Sequence, residues 1–276
     1  MKKLTCFVGL GVLASLLSFN VNDLKAEEVF QKEKVFNFSL GAEYVPYYFK
    51  WKEKASVKEE GWMHGVKLFG SLETKRYAFL PIIEPSFSIY GGDVDYKGKT
   101  WGKELLKSKT NYNGWNAEIK FSYKFCYSGL TTKPYLALGR EYWKRSVDSS
   151  IEPLAIGYTE RWSQDYVKIG ILPSYGLGKS YYVYGDLYVK YPFNVKNRVS
   201  ALDVTVKPEG RLGYGAELGI GVKDAIKKNL DFYASLFYER DKFGKSDTKW
   251  SDVVQGELYQ PGSKREVYGL KLGIRF

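Results

Sequence analysis

The chain is poor in the residues that most often build metal and nucleophilic sites: its 276 residues hold one histidine and two cysteines. Cys6 lies in an apolar N-terminal stretch, which leaves Cys126 as the only cysteine of the folded part. An internal disulfide and an N/S zinc site are therefore both excluded. Strand parity points Cys126 inward near a strand end, as a small buried residue. Asp93-Val94-Asp95 is short enough to touch calcium, but the spacing of an EF-hand loop is absent. No glycine-rich phosphate cradle occurs, so no metal and no cofactor are expected. Beyond the first 26 residues no run of about 18 apolar residues exists, so no transmembrane helix is indicated. Nor does a basic stripe fall on a recognition element, which argues against nucleic acid as a partner.

What is present begins with the N-terminus. Lys2 and Lys3 precede a largely apolar stretch from Leu4 to Phe19, and Leu24-Lys25-Ala26 has the form of a cleavage site. Residues 1–26 read as a secretory signal peptide, with no lipoprotein box around Cys6. Residues 27–276 read as one domain, with no sequence repeat. Mean hydropathy is −0.35, yet 17% of residues are aromatic and 24 are tyrosine. A protein in which only alternate residues meet lipid has this composition.

The last twelve residues carry the clearest pattern. Tyr268, Leu270, Leu272, Ile274 and Phe276 alternate with Gly269, Lys271, Gly273 and Arg275. Side chains alternate between the faces of a strand, so one face is wholly apolar and the other small or cationic. This segment resembles the final strand of bacterial outer-membrane barrel proteins, which typically ends on Phe. The resemblance implies an all-β fold, an antiparallel up-and-down transmembrane β-barrel in the outer membrane of a Gram-negative cell envelope. It also implies that Tyr268, Leu270, Leu272, Ile274 and Phe276 form a signature read by the barrel-assembly machinery.

The alternation recurs near residues 35–49, 61–73, 77–90, 114–127, 134–144, 161–175, 181–193, 211–222 and 230–239. With the terminal segment this gives about ten strands, an even number as such barrels require. Arg198–Lys207 could be a further strand, giving twelve, but reads as the rising arm of a loop. Pro81 and Pro85 predict an irregular wall in the third strand, because each removes a ladder donor. Short turns alternate with long loops near 50–60, 91–113, 145–160, 194–210 and 240–265. In such barrels the short turns face the periplasm.

Sorting by face places seven acids inward: Glu43, Glu73, Glu84, Glu118, Asp186, Glu217 and Asp231. Seven bases join them: Lys67, Lys120, Lys124, Lys168, Lys190, Lys271 and Arg275. The two sets balance, so the net charge of +11 resides in turns, loops and signal. A narrow barrel with balanced charge favours internal ion pairs over an open porin-like channel. Outer-membrane lipids and lipopolysaccharide, whose phosphates suit the amines of Asp93–Lys109, are the expected partners. The barrel is expected to be a monomer.

The single histidine, His64, sits in Trp62-Met63-His64-Gly65-Val66. Barrel enzymes of the omptin, phospholipase and deacylase kinds need a positioned histidine. The deacylase pattern places Ser two residues after it, where Val66 stands. Asp93 and Asp95 echo one acidic pair of an omptin-like site, but no His lies beside an Asp. The expectation is a non-enzymatic barrel with an envelope-structural or surface-interaction role through its extracellular loops. A narrow pore for small solutes is the alternative, and a barrel-embedded lipid hydrolase or protease the second.

Overall fold

The computed structural model describes residues 36–74, 80–99, 104–150 and 156–276. The expected signal peptide, Cys6, Lys75 and Arg76 lie outside the described residues. The strands of the first half are β1 (Phe36–Glu53), β2 (Lys58–Thr74), β3 (Ile82–Lys99), β4 (Leu105–Ser122), β5 (Phe125–Tyr127), β6 (Leu130–Val147) and β7 (Tyr158–Leu177). Those of the second half are β8 (Tyr181–Val199), β9 (Val204–Val206), β10 (Pro208–Val222), β11 (Asp231–Ser246), β12 (Lys249–Ser251), β13 (Gly256–Leu258) and β14 (Ser263–Arg275).

The sheet closes on itself with every neighbour antiparallel. Its ring order is β1, β2, β3, β4, β6, β7, β8, β10, β11, β14 and back to β1. That is a ten-strand up-and-down barrel. The short β5 continues β4 along β6, and β12 pairs with β13 as a hairpin in the last loop. The candidate eleventh strand resolves as expected. β8 runs on to Val199, the chain turns through a 3-10 segment at Ser200–Leu202, and β9 folds back on Asn197–Val199 before entering β10. It is an arm of the β8–β10 connection.

The seam joins the two ends of the described chain. Gly41 to Glu53 pair with Arg275 back to Ser263, and Leu40 and Phe276 exchange two backbone hydrogen bonds of 2.8 Å. Closure leaves no edge, so every wall strand satisfies its backbone donors between neighbours.

The outer wall carries a band of exposed apolar side chains: Phe38, Leu68, Ile89, Ile169, Leu187, Leu218, Leu236 and Leu272 are among them. In water such a band would be an aggregation surface, and in a bilayer it is the surface that hydrocarbon solvates. No helix of the described residues is long and apolar enough to cross a membrane.

The inner face packs aromatic rings across glycines of the neighbouring strand. A Cβ on Gly219 would collide with the Tyr184 ring, one on Gly221 with Tyr182, and one on Gly273 with Tyr233. Each ring lies flat only because the facing residue has no side chain.

Three expectations need correction. The long loops at 91–113, 145–160, 194–210 and 240–265 are mostly wall: β3 and β4 extend to Lys99 and from Leu105, and β6, β7, β8 and β11 lengthen likewise. The barrel therefore stands well beyond its apolar band at the long-loop end. These extensions are polar on their outer face and carry apolar side chains such as Val94, Tyr96, Trp143 and Phe243 inward, the reverse of the lipid-facing pattern, so a search for outward apolar rows does not reveal them. Cys126 is exposed rather than buried, because the wall frays at β5; its Sγ is 3.6 Å from the Thr131 hydroxyl. The third strand starts at Ile82, and within it the β2–β3 pairing lapses between Phe69↔Ser86 and Leu72↔Ile83, opposite Pro85. That is the irregularity expected of a proline that lacks a donor.

Candidate functional site

Thirteen of the fourteen charges sorted inward stand on wall strands with inward parity, Lys124 follows the end of β4 and is exposed, and the protein supplies each of the fourteen with a partner. Glu43 accepts from the Tyr233 hydroxyl at 2.8 Å and lies 3.7 Å from Lys67. Glu73 and Lys124 are 3.7 Å apart. Glu84 accepts from Ser122 and from Lys133, the latter at 2.9 Å. Glu118 binds Lys168 at 2.9 Å. Asp186 accepts from Tyr135 at 2.9 Å, and Lys120 lies over that tyrosine ring at 4.4 Å. Glu217 pairs with Lys271, and Asp231 with Arg275. Lys190 reaches Glu239 at 3.0 Å and Asp241 at 3.1 Å.

Residues that face sorting alone did not select close the lumen. Arg265 on β14 donates to both oxygens of Glu141 on β6, at 2.6 and 2.9 Å. These strands are five places apart in a ring of ten, so the pair spans the barrel. Arg265 also donates to Asp241, at 3.0 Å from Nε. Trp51 on β1 and Trp162 on β7 are likewise on opposite walls, and their rings meet edge to face at 5.2 Å. Trp143 stacks on Trp162 at 5.4 Å, and Phe243 contacts all three indoles. None of Trp51, Trp143, Trp162 and Phe243 is more than 4% exposed. Together they form an apolar plug across the lumen.

A buried ionic cluster holds the plug from one side. Arg145, on β6, binds Glu59 at 2.7 Å and Glu160 at 2.8 Å, with Glu53 at 3.9 Å. Glu59 also accepts from Thr110 at 2.9 Å and from Tyr112. Two of these carboxylates orient the plug itself. The Trp51 indole donates to Glu53 at 2.9 Å, and the Trp162 indole to Glu160 at 2.8 Å. Three acids thus share one guanidinium. Burial pushes Glu53 up to about 7; Arg145 and the Trp51 indole oppose the rise, while Glu160 and Glu59 add to it. Burial alone would discourage the charge on Arg145, but Glu160 and Glu59 hold it well above the usual arginine range.

The outer face changes character where the wall leaves the apolar band. Trp62, Tyr48, Tyr268 and Tyr238 pair in sequence across β2, β1, β14 and β11, an aromatic girdle. Two residues further along each strand, Glu60, Lys50, Glu266 and Arg240 pair in the same order with alternating sign. Two residues further again, Lys58, Lys52, Lys264, Lys242 and, on β10, Arg211 stand side by side, all cations. Lys97 and Lys107 extend this line onto β3 and β4. On the remaining wall, Lys144, Arg161 and Arg198 form a second such line across β6, β7 and β8.

The assembly-signature residues Tyr268, Leu270, Leu272, Ile274 and Phe276 lie on the outer face as parity required; Tyr268, Leu272 and Phe276 are exposed. His64 is also outward, beside Trp62. Its Nδ1 is 2.7 Å from the Tyr44 hydroxyl. Asp93 faces outward on β3 and accepts from Asn111 at 2.8 Å. His64 and the Asp93–Asp95 pair therefore share the outer wall and are not brought together with a buried acid. Among the described residues no group of three or more His, Cys, Asp or Glu is arranged to hold a metal.

No protein-family model matches the chain, and no curated protein does. Solved structures do match. The outer membrane protease OmpT from Escherichia coli aligns with a TM-score of 0.56 at 10% identity, over 90% of this chain and 99% of that one. The transport unit of the autotransporter AIDA-I from Escherichia coli aligns with a TM-score of 0.45 at 9% identity, over 96% of this chain and 97% of that one. At these identities the likeness with OmpT is one of fold, and it is to a bacterial outer-membrane β-barrel.

Proposed function

We propose that this outer-membrane β-barrel is a closed, non-enzymatic protein whose work is done by its outer wall and extracellular rim, in envelope integrity or surface contact. The observation that carries the reading is the closure of the lumen by pairs from opposite walls, Trp51 with Trp162 and Arg265 with Glu141. A solute would have to break a buried bidentate pair and displace four large rings. The long-loop end is read as extracellular, and the assembly machinery as the partner that recognises the Tyr268–Phe276 segment. Lipids of the outer membrane, lipopolysaccharide among them, are the proposed standing partners of a monomeric barrel.

The non-enzymatic reading is supported by the place of His64. A general base must come within hydrogen-bond reach of its substrate. His64 instead stacks on Tyr44 at the lipid-facing wall.

Planar-bilayer recording tests the reading. The wild-type chain should give no stable conductance steps, and the combined Trp51→Ala, Trp162→Ala and Phe243→Ala variant should give them. Steady steps from the wild type would favour the narrow pore.

A further inference from the structure

The cation line on the outer wall is only partly compensated within the protein. Like charges directly opposite in an antiparallel pair destabilise a sheet. Here Lys58, Lys52, Lys264, Lys242 and Arg211 occupy directly paired positions on five consecutive strands. The row beneath is neutral in sum, because Glu60, Lys50, Glu266 and Arg240 alternate. Its acids take up two of the five cations: Lys58 pairs with Glu60 at 2.7 Å and Lys264 with Glu266 at 3.1 Å. Glu209 takes up Arg211 at 3.0 Å. Lys52 and Lys242 form no ion pair among the described residues. A wall that keeps Lys52 and Lys242 unpaired among paired cations gains from an anionic layer at that height.

The height is fixed by the register. The row stands four residues along each strand from Trp62, Tyr48, Tyr268 and Tyr238, whose rings mark the bilayer interface. That is where lipid phosphates lie, and amines near a charged lipid surface are drawn to it. Above the same strands the rim opens into a cavity of about 330 Å³ lined by Lys54, Arg211, Lys245, Tyr259, Pro261 and Gly262. Lys245 sits over the Tyr259 ring at 4.0 Å. The volume is that of a small-ligand site, and its lining pairs cations with one flat apolar face, which suits a sugar that carries anionic groups.

We infer that the β2–β1–β14–β11–β10 sector is a binding face for a phosphorylated glycolipid of the outer leaflet, its phosphates on the Lys52–Lys264–Lys242–Arg211 row and a headgroup sugar in the rim cavity above. The inference deepens the surface-contact reading and rests on the assignment of the long-loop end to the outside. It does not depend on the closed lumen, so a conducting barrel would leave it standing.

The test uses the full mature chain, refolded in a neutral detergent and in vesicles of zwitterionic phospholipid, with and without purified lipopolysaccharide. Wild-type protein should bind lipopolysaccharide in a salt-sensitive way and unfold at a higher temperature in its presence. The Lys264→Gln, Lys242→Gln double variant should bind roughly thirtyfold more weakly, at about fivefold per lysine removed. In neutral detergent without lipopolysaccharide the same variant should be at least as stable as wild type, because a repulsion has been removed. A control Lys249→Gln, in the last loop, should behave as wild type. Unchanged binding by the double variant would overturn the proposal. So would a loss of stability in neutral detergent, since the amines would then serve the fold. Equal binding of dephosphorylated lipopolysaccharide would also overturn it. A response to a soluble sulfated oligosaccharide with none to lipopolysaccharide would reject the lipid as the source.

Discussion

Arg265 and Glu141 stand on opposite walls of the barrel and form two hydrogen bonds, at 2.6 and 2.9 Å, through its centre. The pair is almost wholly out of water, with side chains 9% and 5% exposed. Replacing Arg265 by Met takes a cation from three carboxylates, Glu141, Glu239 and Asp241, which then share Lys190. Loss of one partner from a buried pair costs about 3–5 kcal/mol. Urea unfolding of the reconstituted barrel should show that loss. Adding Glu141→Gln should recover part of it, because the stranded charge goes too.

Lipid-facing positions give a test of a different kind. Leu272 and Ile119 are exposed on the outer wall. Arginine at either should cost about 2–4 kcal/mol if the site lies near the bilayer midplane. Folding into vesicles, followed by the gel shift of the heat-stable barrel, reads this directly. The same arginine at Gly219 meets the Tyr184 ring inside and should disturb packing without a dependence on bilayer thickness. Equal dependence on thickness at all three positions would contradict the assignment of faces.

Gly219 also supports a finer substitution. Alanine there places a methyl group into the Tyr184 ring, which is itself packed edge-on against Tyr233. Overpacking of this size costs about 1–3 kcal/mol. Combining Gly219→Ala with Tyr184→Ala should destabilise less than the sum of the two single changes. Strict additivity in that cycle would mean that the ring and the glycine are not coupled.

Glu53 predicts a pH dependence. Its carboxyl is raised to about 7 by burial, while an unfolded glutamate titrates near 4.3. Between those values the folded protein holds the proton more tightly than the unfolded chain. Stability from this group is therefore full below about 4.3 and falls as pH rises toward 7. The groups facing it are Arg145, Glu160, Glu59 and the Trp51 indole. Glu53→Gln should flatten that part of the pH profile, and at pH 7 should stabilise the barrel by at most a few kcal/mol. A profile unchanged by the substitution would place the titration elsewhere.

How much of this could be read from the sequence follows from what alternation can and cannot encode. Tyr268 to Phe276 could be sorted because one face meets hydrocarbon and the other does not. The inward charges could be sorted for the same reason. From Gly91 to Lys99 the sense of the alternation reverses, with Asp93, Asp95, Lys97 and Lys99 outward and Val94 and Tyr96 buried inward, so a search for an outward apolar row reads it as loop. Trp51 and Trp162 lie 111 residues apart and meet only across a closed ring. Nothing in either local sequence names the other. The cation row needed register: Lys52, Lys264 and Lys242 become neighbours only once β14 is known to lie between β1 and β11.

The hydrogen bonds between Leu40 and Phe276 also set an order of events. The two residues are separated by 236 positions, whereas every other pair of neighbouring wall strands is joined by a single connection in the chain. Hairpins can zip early, but joining the first strand to the last carries the largest loop-closure cost and comes late. The Trp51–Trp162 contact and the Arg265–Glu141 bridge need opposite walls to face each other, so they form only when that cylinder shuts. The interior is therefore the last thing to be built, and a protease added during refolding should find the seam strands cleavable long after the hairpins around β6 and β7 have become resistant.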